Sequence, residues 1–163
     1  RQDNLQLNKL LLSTGQRMES VKTCYSLEET PKIYLHINSY GGSVFAGFSS
    51  VDYIKNSAVP VVSVINGCAA SAATIMSVVA HERLIHEHSF MLIHQLSSGM
   101  WGKYEAMKDD MKNNELLMKK IINVYQENTK IPKSKISDIL KRDLWWDAKT
   151  CLKYGLVDDI ITQ

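Results

Sequence analysis

A serine, a histidine and a carboxylate brought together can attack a carbonyl group, and this chain offers candidates for all three. Ser71 is the one serine of "NGCAASAATIM", residues 66–76, and lies at its middle. It follows a strand-breaking Asn66-Gly67 and falls inside the first turn of a predicted helix. Free backbone N–H groups and the positive end of the helix dipole lie there. Such a place suits a nucleophile whose attack creates an oxyanion. It equally suits an N-cap-like serine in a crowded helix–sheet contact, and local pattern alone favours that plainer role. His94, in "FMLIHQL", ends an apolar strand and can emerge at the sheet's C-terminal edge, where active sites of α/β folds collect. Its near-neutral pKa fits a general base, or it is a satisfied strand-end histidine.

The glycines of "SYGGS", residues 39–43, let backbone N–H groups face outward and a ligand come close. They could supply an oxyanion donor. A phosphate cradle is the competing reading, but neither GxGxxG nor GxxxxGK is present. A plain tight turn is the commonest fate of such a pair. A carboxylate must orient the histidine. Asp143, in "KRDLWWDA", is one candidate beside Asp109, Asp110, Asp138, Asp147, Asp158 and Asp159, most of which read as solvated helix faces or caps. Cys68 lies three residues before Ser71 and could itself be a nucleophile, although a small buried cysteine is more often packing. His81, His86 and His88 cluster with Glu82 and Glu87, but His86 and His88 read as one face of a strand. Metal-site spacings are missing, so no metal is expected.

The elements that must carry these residues follow from periodicity. Residues 4–12 read as the back half of a helix, and the polar stretch 13–31 as a loop or short helix. "KIYLHIN" alternates as a strand over about 32–38. "VFAGFSSVDYIKNS" has helical spacing. "VVSVI" after Pro60 is a buried strand that Asn66-Gly67 breaks, and Ala69 to Ala80 is a helix. "ERLIHEHSFMLIH" gives two short strands. Residues 103–128 form a long amphipathic helix with Met107, Met111, Leu117, Met118, Ile121, Ile122 and Tyr125 on its apolar side. Residues 134–141 are a short helix. Asp147 caps "AKTCLKY", Gly155 ends it, and "LVDDII" is a strand. This alternation implies parallel βαβ units. The long helix has no strand near it, so its stripe needs another surface, most plausibly another subunit.

Composition narrows the class. The chain has 163 residues, 45% hydrophobic and 22% charged, which fits one globular domain. A net charge of +2 is too small to argue for nucleic acid or an anionic membrane. No uncharged apolar run reaches the roughly 20 residues of a membrane helix. Three irregularly spaced cysteines are no disulfide framework and suggest a reducing compartment, cytoplasmic or an organelle matrix or plastid. The chain starts at Arg1 rather than Met and is read as a fragment or mature form.

In order and spacing, four segments resemble the proteolytic subunits of the Clp protease, the ClpP family of serine peptidases. They are "IYLHINSYGGSVFAG", "NGCAASAATIM", "FMLIHQ" and "KRDLWWDAKTCLKYGLVDDII", and the likeness runs from about residue 32 to 161. The resemblance implies an α/β fold, a ClpP/crotonase-like superhelix of βαβ units with a projecting handle helix. Residues 1–163 would be one protease domain, with a head of about 1–102 and 130–163 and a handle of about 103–128. The family's N-terminal axial-loop segment would not be part of this chain.

It also implies Ser71 as nucleophile, His94 as base and Asp143 as the third member. The backbone N–H groups of Gly42 and Ala72 would form the oxyanion hole, and Arg142 an oligomer contact. The implied protein is a serine endopeptidase acting on unfolded polypeptides inside stacked heptameric rings. It is fed by an AAA+ unfoldase, and it needs no cofactor because the unfoldase alone uses ATP. Here Tyr40 stands where the family usually has Pro, Ala72 where it has Met, and Leu96 where it has Pro. Tyr34 resembles a position of the unfoldase-docking groove, but His36 replaces a frequent aromatic. The alternatives are a non-catalytic ring subunit and a crotonase-type acyl-CoA enzyme, which shares the architecture and backbone oxyanion holes but needs no Ser-His-Asp set.

Overall fold

Two apolar runs, Ile33–Ser39 (β1) and Val61–Ala70 (β2), lie side by side as parallel strands, Ile33 opposite Val61 through Ile37 opposite Ile65. β1 alternates, with Tyr34 and His36 exposed and Ile37 buried. In β2 every residue from Val61 to Ile65 is buried, as expected of a strand covered on both faces. Val44–Lys55 (α2) connects them. The computed structural model describes residues 2–162.

β2 does not stop at Asn66-Gly67 as its sequence suggests. Gly67 takes φ +81°, its N–H donates to Ser89 Oγ at 2.8 Å, and the strand bends and continues to Ala70. The β1–β2 register shifts over this bend, so that Ser39 faces Ala69. β2 also changes partner there. Val62–Ile65 pair with Glu82–His86 (β3), and Cys68–Ala70 pair with Phe90–Leu92 (β4). Asp159–Ile161 (β6) extends the sheet parallel to β3, and the two-residue Trp146–Asp147 (β5) runs antiparallel to β4. The result is a curled, mostly parallel sheet.

Several expectations are corrected. The first helix does not end near residue 12; it runs over Gln2–Tyr25 (α1). Its contact stripe buries Leu11 but also polar Asn8 and Gly15, which hides it from a hydrophobic pattern. Ser50 Oγ donates to Asn8 Oδ1 at 2.8 Å, Asn8 Nδ2 donates to Ser49 Oγ at 3.0 Å, and Gly15 lies against Ser57 and Ala58. The helix placed at Ala69–Ala80 is shorter, Ala72–Val78 (α3), because Ala69 and Ala70 belong to β2. His88 lies in the turn after β3 rather than beside His86 on a strand.

The long helix is Tyr104–Asn128 (α4). Every residue from 104 to 113 is exposed, whereas Ile121 and Tyr125 are buried where α4 meets α3 and Lys133–Leu140 (α5). Asp147 caps Ala148–Lys153 (α6) by accepting from the Thr150 N–H at 2.8 Å, and Gly155 follows it at φ +68°.

Arg83 of β3 fastens the C-terminal segment. Its Nε donates to Asp158 Oδ2 at 3.0 Å, and Nη1 donates to the carbonyls of Asn128 and of Gly155. The hydrogen bond and charge of Arg83 hold the Asp158 carboxyl below its ordinary pKa. A depressed carboxyl contributes stability above its unfolded pKa and loses it as pH falls through the folded one. Asp158→Asn is therefore expected to lower stability at neutral pH. The gap to wild type should close as pH drops below about 4, the ordinary carboxylate range, in denaturant titrations across pH.

Candidate active site

Ser71 occupies the joint between β2 and α3, not the first helical turn. Its backbone sits at φ +56°, ψ −127°, a conformation costly for any residue with a Cβ. Three bonds hold it there. Its N–H donates to the Leu92 carbonyl at 2.9 Å, and its carbonyl accepts the Thr74 N–H at 2.9 Å and Thr74 Oγ1 at 2.6 Å. The serine side chain makes no cap hydrogen bond, so the N-cap role that local sequence favoured is not the one it plays.

The glycine turn packs directly on this joint. A Cβ on Gly41, at φ +93°, would lie 2.6 Å from the Ala70 carbonyl oxygen, 2.8 Å from Ser71 Cβ and 2.9 Å from Ala72 N. Only glycine can pass there. Gly42 beyond it has open space at its Cβ position and lines the cavity in front of Ser71.

His94 arrives from the next strand over. It lies two residues past β4, and the segment after it is pinned by two bonds. Gln95 N–H donates to the Leu140 carbonyl at 2.7 Å, and Leu96 N–H to Met118 Sδ at 3.0 Å. His94 Nδ1 lies 3.7 Å from Asp143 Oδ1, within ion-pair reach but beyond a hydrogen bond. His94 is largely buried, whereas the Asp143 side chain is 80% exposed. The loop carrying Asp143 is braced on the glycine turn, because Trp145 meets Tyr40 edge to face at 6.2 Å between ring centres.

Ser71, His94, Gly42 and Ala72 line one cavity of about 340 Å³. Leu96 to Ser98 form one wall, and Phe45, Leu117 and Ile121 give it apolar surface. Asp143 does not line this cavity and reaches it only through His94. Arg142, next in chain, faces a separate hollow with Ile93, Ile139 and Leu144. The Cys68 thiol points elsewhere, 3.5 Å from Asn38 Oδ1, and lines a different hollow with Tyr40, Phe90 and Trp145. Buried Cys151 is inert at neutral pH, since burial pushes its thiol up to about 12. His81 Nδ1 accepts the Val61 N–H at 3.1 Å, and His36 pairs with Asn66 at 3.0 Å. Among the described residues, no three His, Cys, Asp or Glu side chains come together as a metal would need.

The sequence reading missed a polar pair beside the cavity, formed by Thr74 and Tyr125. Thr74 is fully buried, and its hydroxyl lies 2.6 Å from the hydroxyl of buried Tyr125. Burial raises the Tyr125 pKa well above its ordinary value, so the phenol stays protonated. A tyrosine in an apolar helix stripe carries a usable signal, because its hydroxyl must find a buried partner.

Residues 14–163 match the family model described as Clp protease. The chain belongs to the Clp protease family. It is 36% identical over 151 residues to the ATP-dependent Clp protease proteolytic subunit 1 of Chlamydia muridarum, covering 88% of this chain and 78% of that one. The Chlamydia pneumoniae protein of the same name is 40% identical over 129 residues, covering 77% and 68%. Subunit 2 of Treponema denticola is 35% identical over 137 residues, covering 83% and 68%. The curled α/β sheet is the ClpP fold. Among the described residues no helix is long and apolar enough to cross a membrane.

The Gly41 contact makes the role of the glycine turn testable. Gly41→Ala is expected to push the Ser71 joint out of place and abolish labelling of the protein by a fluorophosphonate. Intact-mass spectrometry reads the label, and circular dichroism confirms that the fold survives.

Proposed function

We propose that the protein is a serine endopeptidase that hydrolyses peptide bonds of unfolded polypeptides by acyl transfer. The observation that carries this reading is the single cavity lined together by Ser71, His94, Gly42 and Ala72. His94 takes the Ser71 proton as the hydroxyl attacks the scissile carbonyl. The N–H groups of Gly42 and Ala72 receive the oxyanion. His94 then protonates the leaving amine, and water releases the acyl group by the same steps in reverse. Asp143 orients His94 through Nδ1 and stabilises the imidazolium. The gap between them must shorten by roughly 0.5 Å or more to become a hydrogen bond.

Oligomerisation belongs to the same proposal. The free half of α4 presents Tyr104, Met107, Met111 and Leu116 to solvent. This half acts as the handle through which two heptameric rings stack and enclose the sites, with Arg142 at the contact between rings. Such a chamber admits only extended chain, which an AAA+ unfoldase supplies at the expense of ATP. The peptidase itself uses no cofactor and no metal. The relatives are named ATP-dependent Clp protease proteolytic subunits, which supports this arrangement. A reducing compartment, bacterial cytoplasm or its equivalent, accords with three free cysteines.

The wide His94–Asp143 separation favours one second reading, a non-catalytic ring subunit. Ser71→Ala decides between them. It is expected to cut fluorogenic peptide hydrolysis by a factor on the order of 10⁶, as loss of a triad serine does, and to end fluorophosphonate labelling. Hydrolysis that persists unchanged overturns the proposal, and an assembled wild-type ring that never labels supports the non-catalytic role. For the assembly, Met107→Lys combined with Met111→Lys is expected to halve the native mass in analytical ultracentrifugation. Met118 is unsuited to this test because its sulfur accepts the Leu96 N–H within the same chain.

A further inference from the structure

A chain of buried hydroxyls leads from α4 to the peptide bond after Ser71. Tyr125 is almost wholly buried and its hydroxyl lies 2.6 Å from Thr74 Oγ1. Thr74 Oγ1 lies 2.6 Å from the Ser71 carbonyl oxygen. Counting donors fixes the direction of the chain. A carbonyl only accepts, so Thr74 must spend its one hydroxyl proton on Ser71. The Tyr125 hydroxyl then donates to Thr74 Oγ1.

The Ser71 carbonyl and the Ala72 N–H belong to one peptide group. That group is planar and trans, so its oxygen and its hydrogen point in opposite directions. The oxygen is held from inside the fold by two donors of Thr74. The N–H leaves on the other side, and Ala72 lines the Ser71 cavity. Fixing the oxygen therefore aims the N–H. Donation to the oxygen also draws electron density from the amide and makes its N–H a stronger donor, as in any hydrogen-bond chain at low dielectric.

We propose that Tyr125 and Thr74 are positioning residues of the oxyanion site, which hold and polarise the Ser71–Ala72 peptide so that its N–H meets the developing negative charge. This rests on the serine-peptidase reading above. The helix that would carry ring stacking thus also supplies the last hydroxyl of the chain behind the oxyanion donor. Thr74 needs no contact with substrate, and Tyr125, whose ring also lines the cavity, acts here through its hydroxyl.

The test compares Thr74→Val, Thr74→Ser, Tyr125→Phe and the double variant Thr74→Val/Tyr125→Phe in the assembled protein. It measures kcat and KM on a fluorogenic peptide together with the thermal midpoint. Thr74→Val is expected to lower kcat about tenfold, less than the 10²–10³ of deleting an oxyanion donor outright, with KM nearly unchanged. Thr74→Ser keeps the hydroxyl and should retain most of wild-type kcat. Tyr125→Phe should fall between them.

Thr74→Val alone also strands a buried phenol, which lowers the midpoint. The double variant removes both hydroxyls and should recover much of that stability while kcat stays low. The inference is overturned if kcat returns with stability in the double variant, or if Thr74→Ser is as slow as Thr74→Val. Ser71→Ala, run alongside, separates the two levels. If it remains fully active, the serine reading falls and takes this inference with it. If it is inert while Thr74→Val keeps wild-type kcat, only the hydroxyl chain is refuted.

Discussion

The site depends on one strand changing partner half-way along its length. β2 pairs with β3 up to Ile65 and with β4 from Cys68 onward, and the positive φ of Gly67 makes the change possible. Were β2 to end at Asn66, Ala69 and Ala70 would not pair with β4. Ser71 would then lose its bond to the Leu92 carbonyl. Because the second half of β2 follows β4 instead, the strand ends carrying Ser71 and His94 emerge together. One glycine bend thus brings to one cavity two residues that lie 23 positions apart in sequence.

A second constraint works at the same joint. Ser71 holds a backbone conformation that costs on the order of 1–3 kcal/mol. The surroundings must over-determine it, and they do so from three sides. β4 takes its N–H, Thr74 takes its carbonyl, and Gly41 presses against its Cβ with no side chain of its own. The small residues around Ser71 follow from this crowding. Gly47 of α2 approaches so closely that a Cβ there would sit 3.2 Å from the Cβ of Ala72, which leaves no room for a larger residue without displacement. Glycine at position 47 is therefore a packing requirement between α2 and α3.

Sequence alone revealed the elements with strong period and the residues at their ends. β1, α2, α4, α5 and the Asp147 cap lie within a residue or two of where pattern puts them. Ser71, His94 and the glycine pair were recognisable as a possible constellation, although choosing Asp143 among seven aspartates needed the family resemblance. What pattern missed has a common cause. Gly67 reads as a breaker because local chemistry does not say whether a glycine ends a strand or bends it; Ser89, 22 positions away, decides that by taking its N–H. The second half of α1 was hidden because its buried contact is Gly15, which packs against Ser57 and Ala58 just beyond α2. Thr74 and Tyr125 looked like ordinary core until their hydroxyls were seen to meet. In each case the missing information was a contact across the fold, which periodicity does not carry.

The two halves of α4 face different problems, and their composition follows. From Ile121 onward the helix is core, and Tyr125 places a polar atom there only because Thr74 receives it. From Tyr104 to Asn113 every residue is exposed, yet Tyr104, Met107 and Met111 are large and apolar. Water-exposed methionines on one turn after another contribute nothing to the stability of an isolated chain. They become useful when another surface covers them, and a rigid helix would then transmit its position to whatever its inner half touches. That inner half lines the Ser71 cavity through Leu117, Ile121 and Tyr125, and holds Leu96 just past His94 through Met118. One helix thus joins the exposed residues of its outer half to the wall of the Ser71 cavity and to the segment just past His94.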